Sequence, residues 1–224
     1  MDRPLPPDLP FSLHLEAKWL LLSSPQPLHM LSWAIHRGGP VTAQRVAWHT
    51  VSEAELPLDA DPAAILRARL AARGWEDAVG LLTSRPVATF HVAAATVAEV
   101  RAVSVFTVGL DNAERIGDFG ASGRPTFRPG TINSFTWISE ALTANALLEA
   151  LAMTVQARTL CCLERTPGGW ATGTGTDCVV VACPADGTPR PYAGLHTPVA
   201  HAIGQSVAAA LGAGIDDWRA ELAG

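Results

Sequence analysis

The stretch Ala171-Thr-Gly-Thr-Gly-Thr-Asp177, running straight into Cys178-Val-Val-Val-Ala182, sets the reading of this chain. The apolar run has the length and β-branched content of a buried strand. The segment before it alternates glycines with hydroxyls and ends in a carboxylate at the strand's mouth. Glycine lets backbone approach a ligand closely, and threonine offers a hydroxyl beside it. A carboxylate next to an apolar run must be solvated, paired or used. The combination marks a site.

The chain has 224 residues, of which 48% are hydrophobic, enough for one sizeable core. The formal charge of -5 invites no polyanion, so nucleic acid is not an expected partner. The N-terminal Met-Asp-Arg-Pro-Leu-Pro-Pro-Asp has no basic region followed by an apolar core. No uninterrupted apolar run reaches the roughly 18 residues of a membrane span. A cytoplasmic protein without a membrane partner is therefore expected. The apolar excess is compatible with a homodimer. Cys161, Cys162, Cys178 and Cys183 follow no zinc spacing and read as buried thiols, so no metal is expected.

Outward from the central stretch, the pattern predicts a proline-rich irregular arm over 1–10. Strands are expected over Ser12–Leu22, Met30–Ile35, Gln44–Val51, Val79–Leu82, Val87–Val92, Arg101–Val108, Ile132–Ile138 and Cys178–Cys183, with an alanine-rich link between Val92 and Arg101. Asp61-Pro62 opens a helix that Gly74 closes. Thr143–Leu163 is a long helix. A last one carries Val199, Ile203, Val207 and Leu211 as a stripe. The fold class is α+β: one domain spanning 1–224, with a mostly antiparallel or mixed sheet packed by helices.

Four loops gather polar groups at strand or helix ends. They are Gly109 to Asp118, Gly130-Thr-Ile-Asn133, the Gly/Thr loop ending at Asp177, and Tyr192 to Thr197 ahead of the last helix. Gly-Thr-Gly-Thr is no phosphate loop, because it lacks the Lys-Ser/Thr pair and the following helix.

Taken in order, these motifs resemble the adenosylcobinamide amidohydrolase family. The resemblance rests on Thr107 to Ala113 with Ile116-Gly-Asp118, on Gly130 to Asn133 before a long Ala/Leu helix, on Ala171 to Asp177, and on Tyr192-Ala-Gly194 with His196-Thr197. Met30-Leu-Ser-Trp-Ala34 with Gly38-Gly39 is similar to the family's serine-containing strand and glycine pair. It spans residues 28–212. Arg37 departs from the small polar residue expected before the glycine pair, and Asp111 stands where a small residue is usual. The resemblance implies hydrolysis of adenosylcobinamide to adenosylcobyric acid and an aminopropanol; the alternatives are a corrinoid-binding protein that does not cut and an amidase for another small molecule. The corrinoid is the partner, and it brings its own cobalt, so no cofactor is expected.

Amide hydrolysis needs a nucleophile, an oxyanion donor and an acid for the leaving amine. Asp177, Asp118 and His196 are the candidate bases for an activated water. The amides of Asn112 and Asn133, or N–H groups within Gly173, Thr174, Gly175 and Thr176, are candidate oxyanion donors. A competing scheme uses Thr131, Thr174, Thr176 or Ser32 as a nucleophile activated by His196. Another has the chain cut itself before Thr131. Asp177, His196, Asn133 and Thr131 are thus the catalytic candidates. Ser32, Gly109, Asn112, Asp118 and Gly173 to Thr176 are the substrate-binding ones. His36 and His49 are reserve ligands for corrinoid cobalt, and Trp33 and Trp137 are candidate walls of a broad pocket. All four loops are expected to open onto one wide cleft.

Overall fold

The computed structural model describes residues 5–57, 59–118 and 130–223. Its strands are β1 (Ser12–Glu16), β2 (Trp19–Ser32), β3 (Gly39–Thr50), β4 (Val79–Thr83), β5 (His91–Val97), β6 (Val100–Val108), β7 (Ala113–Glu114), β8 (Ile132–Ile138), β9 (Gly173–Thr174) and β10 (Cys178–Pro184). The α-helices are α1 (Pro62–Ala71), α2 (Ala144–Arg165) and α3 (Pro198–Ala223).

Local chemistry accounts for most of these boundaries. Asp61 caps α1 by accepting from the N–H groups of Ala63 and Ala64, with Pro62 at the first helical position. Thr143 caps α2 by accepting from Ala146 N. The expected strand over Ser12–Leu22 is instead a hairpin. It turns at Ala17-Lys18, so β1 pairs antiparallel with the start of β2. The expected alanine-rich link is also strand: Ala93 to Ala95 pair with Ser104 to Ala102 in a β5–β6 hairpin. Alanine is a poor strand former alone, but here the cross-strand partners decide. Val87–Thr89 is a short 3-10 turn. Residues 1–4 of the expected arm lie outside the described residues, and residues 5–10 form neither helix nor strand.

The main sheet runs β4-β3-β2-β10-β8-β6-β5, with β1 on β2. It is mixed: β8–β10 and β3–β4 are parallel, and the other pairs antiparallel. Side-chain alternation shows that it coils over itself. In β10, Val179, Val181 and Cys183 face α2 and α3, and Cys178, Val180 and Ala182 face an inner core. That inner core also holds Val46 and Trp48 of β3, Val79 and Leu81 of β4, and Phe135 of β8. Ala47, on the other face of β3, packs under Leu66 and Leu70 of α1. The layers are therefore α2 and α3, central strands, inner core, β3 with β4, and α1. The irregularity between Ser23 and Leu28 in the β2–β3 pairing is where the long strands bend.

By length and composition α2 and α3 could each cross a membrane. Both instead lie along the sheet, and the α3 stripe Val199, Ile203, Val207 and Leu211 is buried in the core beneath it. The four cysteines are buried and unbridged. Burial pushes the Cys162 and Cys178 thiols up to about 12.

Two predictions follow from local physics. Ala98, at the β5–β6 turn, takes φ 50, a left-handed backbone that costs an alanine about 1–2 kcal/mol. Ala98→Gly should raise stability by about 0.5–1 kcal/mol once glycine's chain entropy is set against the relieved strain. An unchanged or lower urea midpoint contradicts this. His49, stacked on Trp19, has its pKa lowered from 6.5 to about 4, first by burial and then by the Arg69 charge. Below pH 6.5 the unfolded chain takes up this proton and the folded chain does not, so His49 makes stability fall as pH drops towards 4. His49→Gln should flatten that part of the stability profile.

Candidate active site

Strand direction brings distant segments to one end of the central sheet. β8 and β10 are parallel and both begin there, and β6 and β2, antiparallel to them, end there. Thr107, Asn133 and Cys178 stand abreast in the register. The loops leaving β6 and β2 and those leading into β8 and β10 therefore crowd together.

Hydrogen bonds knit them. Gly109 N donates to Thr131 O at 3.0 Å, and Gly175 N donates to Asn112 O at 3.1 Å. The Asn112 side-chain amide reaches Thr176 Oγ1 at 3.5 Å, and that hydroxyl reaches Gly130 O at 3.4 Å. Thr131 Oγ1 donates to Thr176 O at 2.8 Å and lies 3.4 Å from Asn133 Oδ1. Asn133 Nδ2 spans the inner core to Leu82 O at 2.6 Å. β7 and β9 pair beside this cluster.

Asp177 is the hub. Its Oδ1 accepts from Ile132 N at 3.3 Å, from Thr174 N at 3.1 Å and from Thr174 Oγ1. Its Oδ2 lies 2.6 Å from Arg158 Nη1, and both side chains are about nine-tenths buried (8% and 11% exposed). Its main-chain oxygen accepts from Trp33 Nε1 at 2.6 Å. Burial pushes the Asp177 carboxyl above its ordinary value, against the Arg158 charge and the Thr174 and Ile132 donors that pull it down. Gly173 is required by this close packing: a Cβ there would fall 2.5 Å from Asp177 Oδ2. Gly130 is equally confined, 2.8 Å from the nitrogens of both Asp111 and Asn112 by the same test.

Thr131, Asn133, Gly109, Asn112, Gly173, Thr174, Gly175, Thr176 and Asp177 thus form one cluster. Ser32 is buried at the same end, abreast of Val180, with its hydroxyl accepting from Ala34 N. Asp118 is exposed, 3.4 Å from Arg115 Nε on the outer part of its loop.

His196 does not join the cluster. Its loop sits at the opposite end, where Ala193 N donates to Glu149 near the start of α2. The far end of α3 is the one that reaches the cluster, through Trp218 Nε1 on Asp111 Oδ2 at 3.1 Å. Pro198 and Trp218 are about 30 Å apart along that helix at roughly 1.5 Å per residue. The expectation of four loops on one pocket is corrected to three, because a long straight helix separates its two ends. At the base of the three loops Thr107, Thr131 and Asn133 are at most 4% exposed, while Gly175 and Thr176 at the tip of the Gly/Thr loop are exposed. A surface hollow away from the cluster is lined by Trp19, His49, Glu55, Arg69, Ala72 and Arg73.

Trp33 borders the cluster with its ring partly exposed, but Trp137 packs against the inner core. Both ring nitrogens of His49 are engaged, by Lys18 O and Arg69, and His36 Nε2 bonds Glu76 O. Among the described residues, no group of three or more His, Cys, Asp or Glu side chains could hold a metal. Sequence reasoning missed Arg158 as a site residue. Its signal was available, for it is the lone charge between Leu151 and Leu163.

No curated protein matches the chain. Among solved structures, the PH0078 protein of Pyrococcus horikoshii OT3 is similar at 9% identity and TM-score 0.47, over 97% of this chain and 81% of that one. A Burkholderia β-aminopeptidase is similar at 11% identity and TM-score 0.43, over 91% of this chain and 79% of that one. An L-aminopeptidase D-Ala-esterase/amidase of Ochrobactrum anthropi gives 11% and 0.43, over 91% and 82%. The family model for adenosylcobinamide amidohydrolase matches residues 9–223. That match takes in nearly the whole chain, cluster and flanking helices together, and the chain belongs to the adenosylcobinamide amidohydrolase family.

Proposed function

We propose that this protein hydrolyses the amide that joins the aminopropanol arm of adenosylcobinamide to the corrinoid, releasing adenosylcobyric acid. One observation carries the reading beyond family membership. The segments Gly109–Asn112, Gly130–Asn133 and Ala171–Asp177, far apart in sequence, are hydrogen-bonded into one cluster of hydroxyls and amides. Such a cluster supplies a nucleophile and oxyanion donors without a metal of the protein's own. The cobalt belongs to the substrate.

In this reading the Thr131 hydroxyl attacks the amide carbon, and the side chains of Asn112 and Thr176 hold the carbonyl and its developing charge, while Asn133, its Nδ2 committed to Leu82 O, orients the Thr131 hydroxyl through Oδ1. Asp177 serves by fixing the loop. Three donors occupy its Oδ1 and Arg158 occupies its Oδ2, which leaves little lone-pair capacity for a water. Trp33, partly exposed beside Asp177, is the surface against which a flat ring system would rest. His196 has no part in the chemistry. A corrinoid-binding role without hydrolysis is the second reading, favoured by the burial of Thr131, which is 4% exposed.

Purified protein incubated with adenosylcobinamide should yield adenosylcobyric acid, followed by chromatography and mass. Spectral binding with no product after many hours would establish the second reading instead. Asp177→Asn should lower the rate by about 10²-fold or more and, by leaving Arg158 buried without its partner, cost about 3–5 kcal/mol of stability. Adding Arg158→Met should recover part of that stability but not the rate. His196→Ala, at the far end of α3, should keep the rate within about twofold.

A further inference from the structure

We propose that this protein cuts its own chain between Gly130 and Thr131, and that the freed Thr131 is the working nucleophile. Among the described residues no carboxylate or imidazole is hydrogen-bonded to the Thr131 hydroxyl, whose partners are Thr176 O and Asn133 Oδ1. Asp177 is engaged by Arg158, Thr174 and Ile132, and His196 is at the opposite end of the molecule. A threonine hydroxyl is a weak nucleophile unless a neighbouring group takes its proton. The nitrogen of Thr131 itself, held one residue's geometry away from its own hydroxyl, could do so, and it becomes basic only when the Gly130–Thr131 bond is broken.

That peptide bond is held on both sides. Ahead of it, the Gly130 carbonyl oxygen accepts from Thr176 Oγ1 at 3.4 Å, and that hydroxyl is in turn met by Asn112 Nδ2 at 3.5 Å. This is a donor aimed where negative charge would develop on attack, with a second donor behind it. After the bond, Thr131 O accepts from Gly109 N at 3.0 Å and Ile132 N is tied to Asp177 Oδ1 at 3.3 Å. The residue before the bond can only be glycine, because a Cβ would fall 2.8 Å from the nitrogens of Asp111 and Asn112. Thr131 also precedes the first residue of β8, so its backbone is anchored by the sheet that follows.

The chemistry balances with water as the sole co-reactant. Thr131 Oγ attacks the Gly130 carbonyl carbon and forms a C–O bond. The C–N bond to Thr131 breaks, and the hydroxyl proton goes to the departing nitrogen, leaving an ester and a free α-amine. Water then hydrolyses the ester, giving a Gly130 carboxylate and restoring the Thr131 hydroxyl. An α-amine has a pKa of about 7.7–8.0, so near neutral pH a useful share is unprotonated and able to take the Oγ proton. The cut stands apart from the substrate assigned above; only the later use of the amine rests on that reading. There, Thr131 Oγ takes the corrinoid acyl group as an ester, the aminopropanol leaves with a proton, and water frees the acid.

The two pieces would stay together after the cut. β6 of the first pairs with β8 of the second, and β2 of the first pairs with β10 of the second. Cleavage must therefore be read under denaturing conditions. Mass spectrometry of the purified protein should show fragments 1–130 and 131–224, and N-terminal sequencing of the second should read Thr-Ile-Asn-Ser. Thr131→Ser should still cut and Thr131→Ala should not. Thr176→Val, which removes the donor to the Gly130 carbonyl, should slow cutting by about 10²-fold. A wild-type chain that keeps its full mass on prolonged incubation overturns the proposal, and so does fragmentation of Thr131→Ala at this bond. A full-length chain that nonetheless hydrolyses adenosylcobinamide refutes the cut and leaves the function above intact. A cut chain that yields no adenosylcobyric acid does the reverse.

Discussion

A charged carboxylate held about nine-tenths out of water is the constraint on which this end of the molecule depends. Asp177 can be buried because Arg158 reaches it from α2 and because two backbone N–H groups and a hydroxyl close around its other oxygen. The partners come from α2, from the start of β8 and, twice, from Thr174 in the Gly/Thr loop itself. Pairing satisfies the charge, and the cost of an unpaired one enforces the geometry. The ion pair therefore does more for register than for net stability. It sets where α2 lies along the sheet, shapes the Gly/Thr loop, and fixes the first residue of β8.

The sheet turns that local constraint into a site. Because β8 and β10 run parallel, the loops leading into both must lie at the same end. Because β6 and β2 flank them antiparallel, their exit loops arrive there too. The coil of the sheet lets Asn133 reach across the inner core to Leu82 of β4, so the cluster is roofed as well as walled. Few of its hydroxyls and amides are strained or charged. What distinguishes them is that they are gathered at the end of a core and bonded mainly to one another.

Much of the fold was legible in the sequence. Ile132–Ile138 and the strand beginning at Cys178 carry enough β-branched and apolar residues to declare themselves, and Asp61-Pro62 announces α1 with its own cap. Besides Val87–Thr89, a 3-10 turn where a strand was expected, two segments misled. Ser12–Leu22 reads as one strand because its hairpin turns on Ala17-Lys18, which carries neither Gly nor Asn, and Ala17 nevertheless takes φ 47. Ala93 to Ala95 read as a link because alanine has little preference for strands, yet β6 alongside supplies the partner. In each case a contact from elsewhere overrode the local signal.

The candidate site divides in the same way. Sequence alone determined the residue types: the alternating glycines and threonines, the carboxylate at a strand's mouth, and the ordered motifs that place the chain in its family. Those are covalent facts, readable in one dimension. Tertiary structure decided who meets whom. It brought three of the four loops together and sent His196 to the other end of α3, because a helix keeps its two ends apart however close in character their residues are. It also recruited Arg158, which no motif marks, because only the packing of α2 against the sheet puts a guanidinium within reach of Asp177. Strand direction and helix length are properties of the folded chain, and they settle which polar residues share a site.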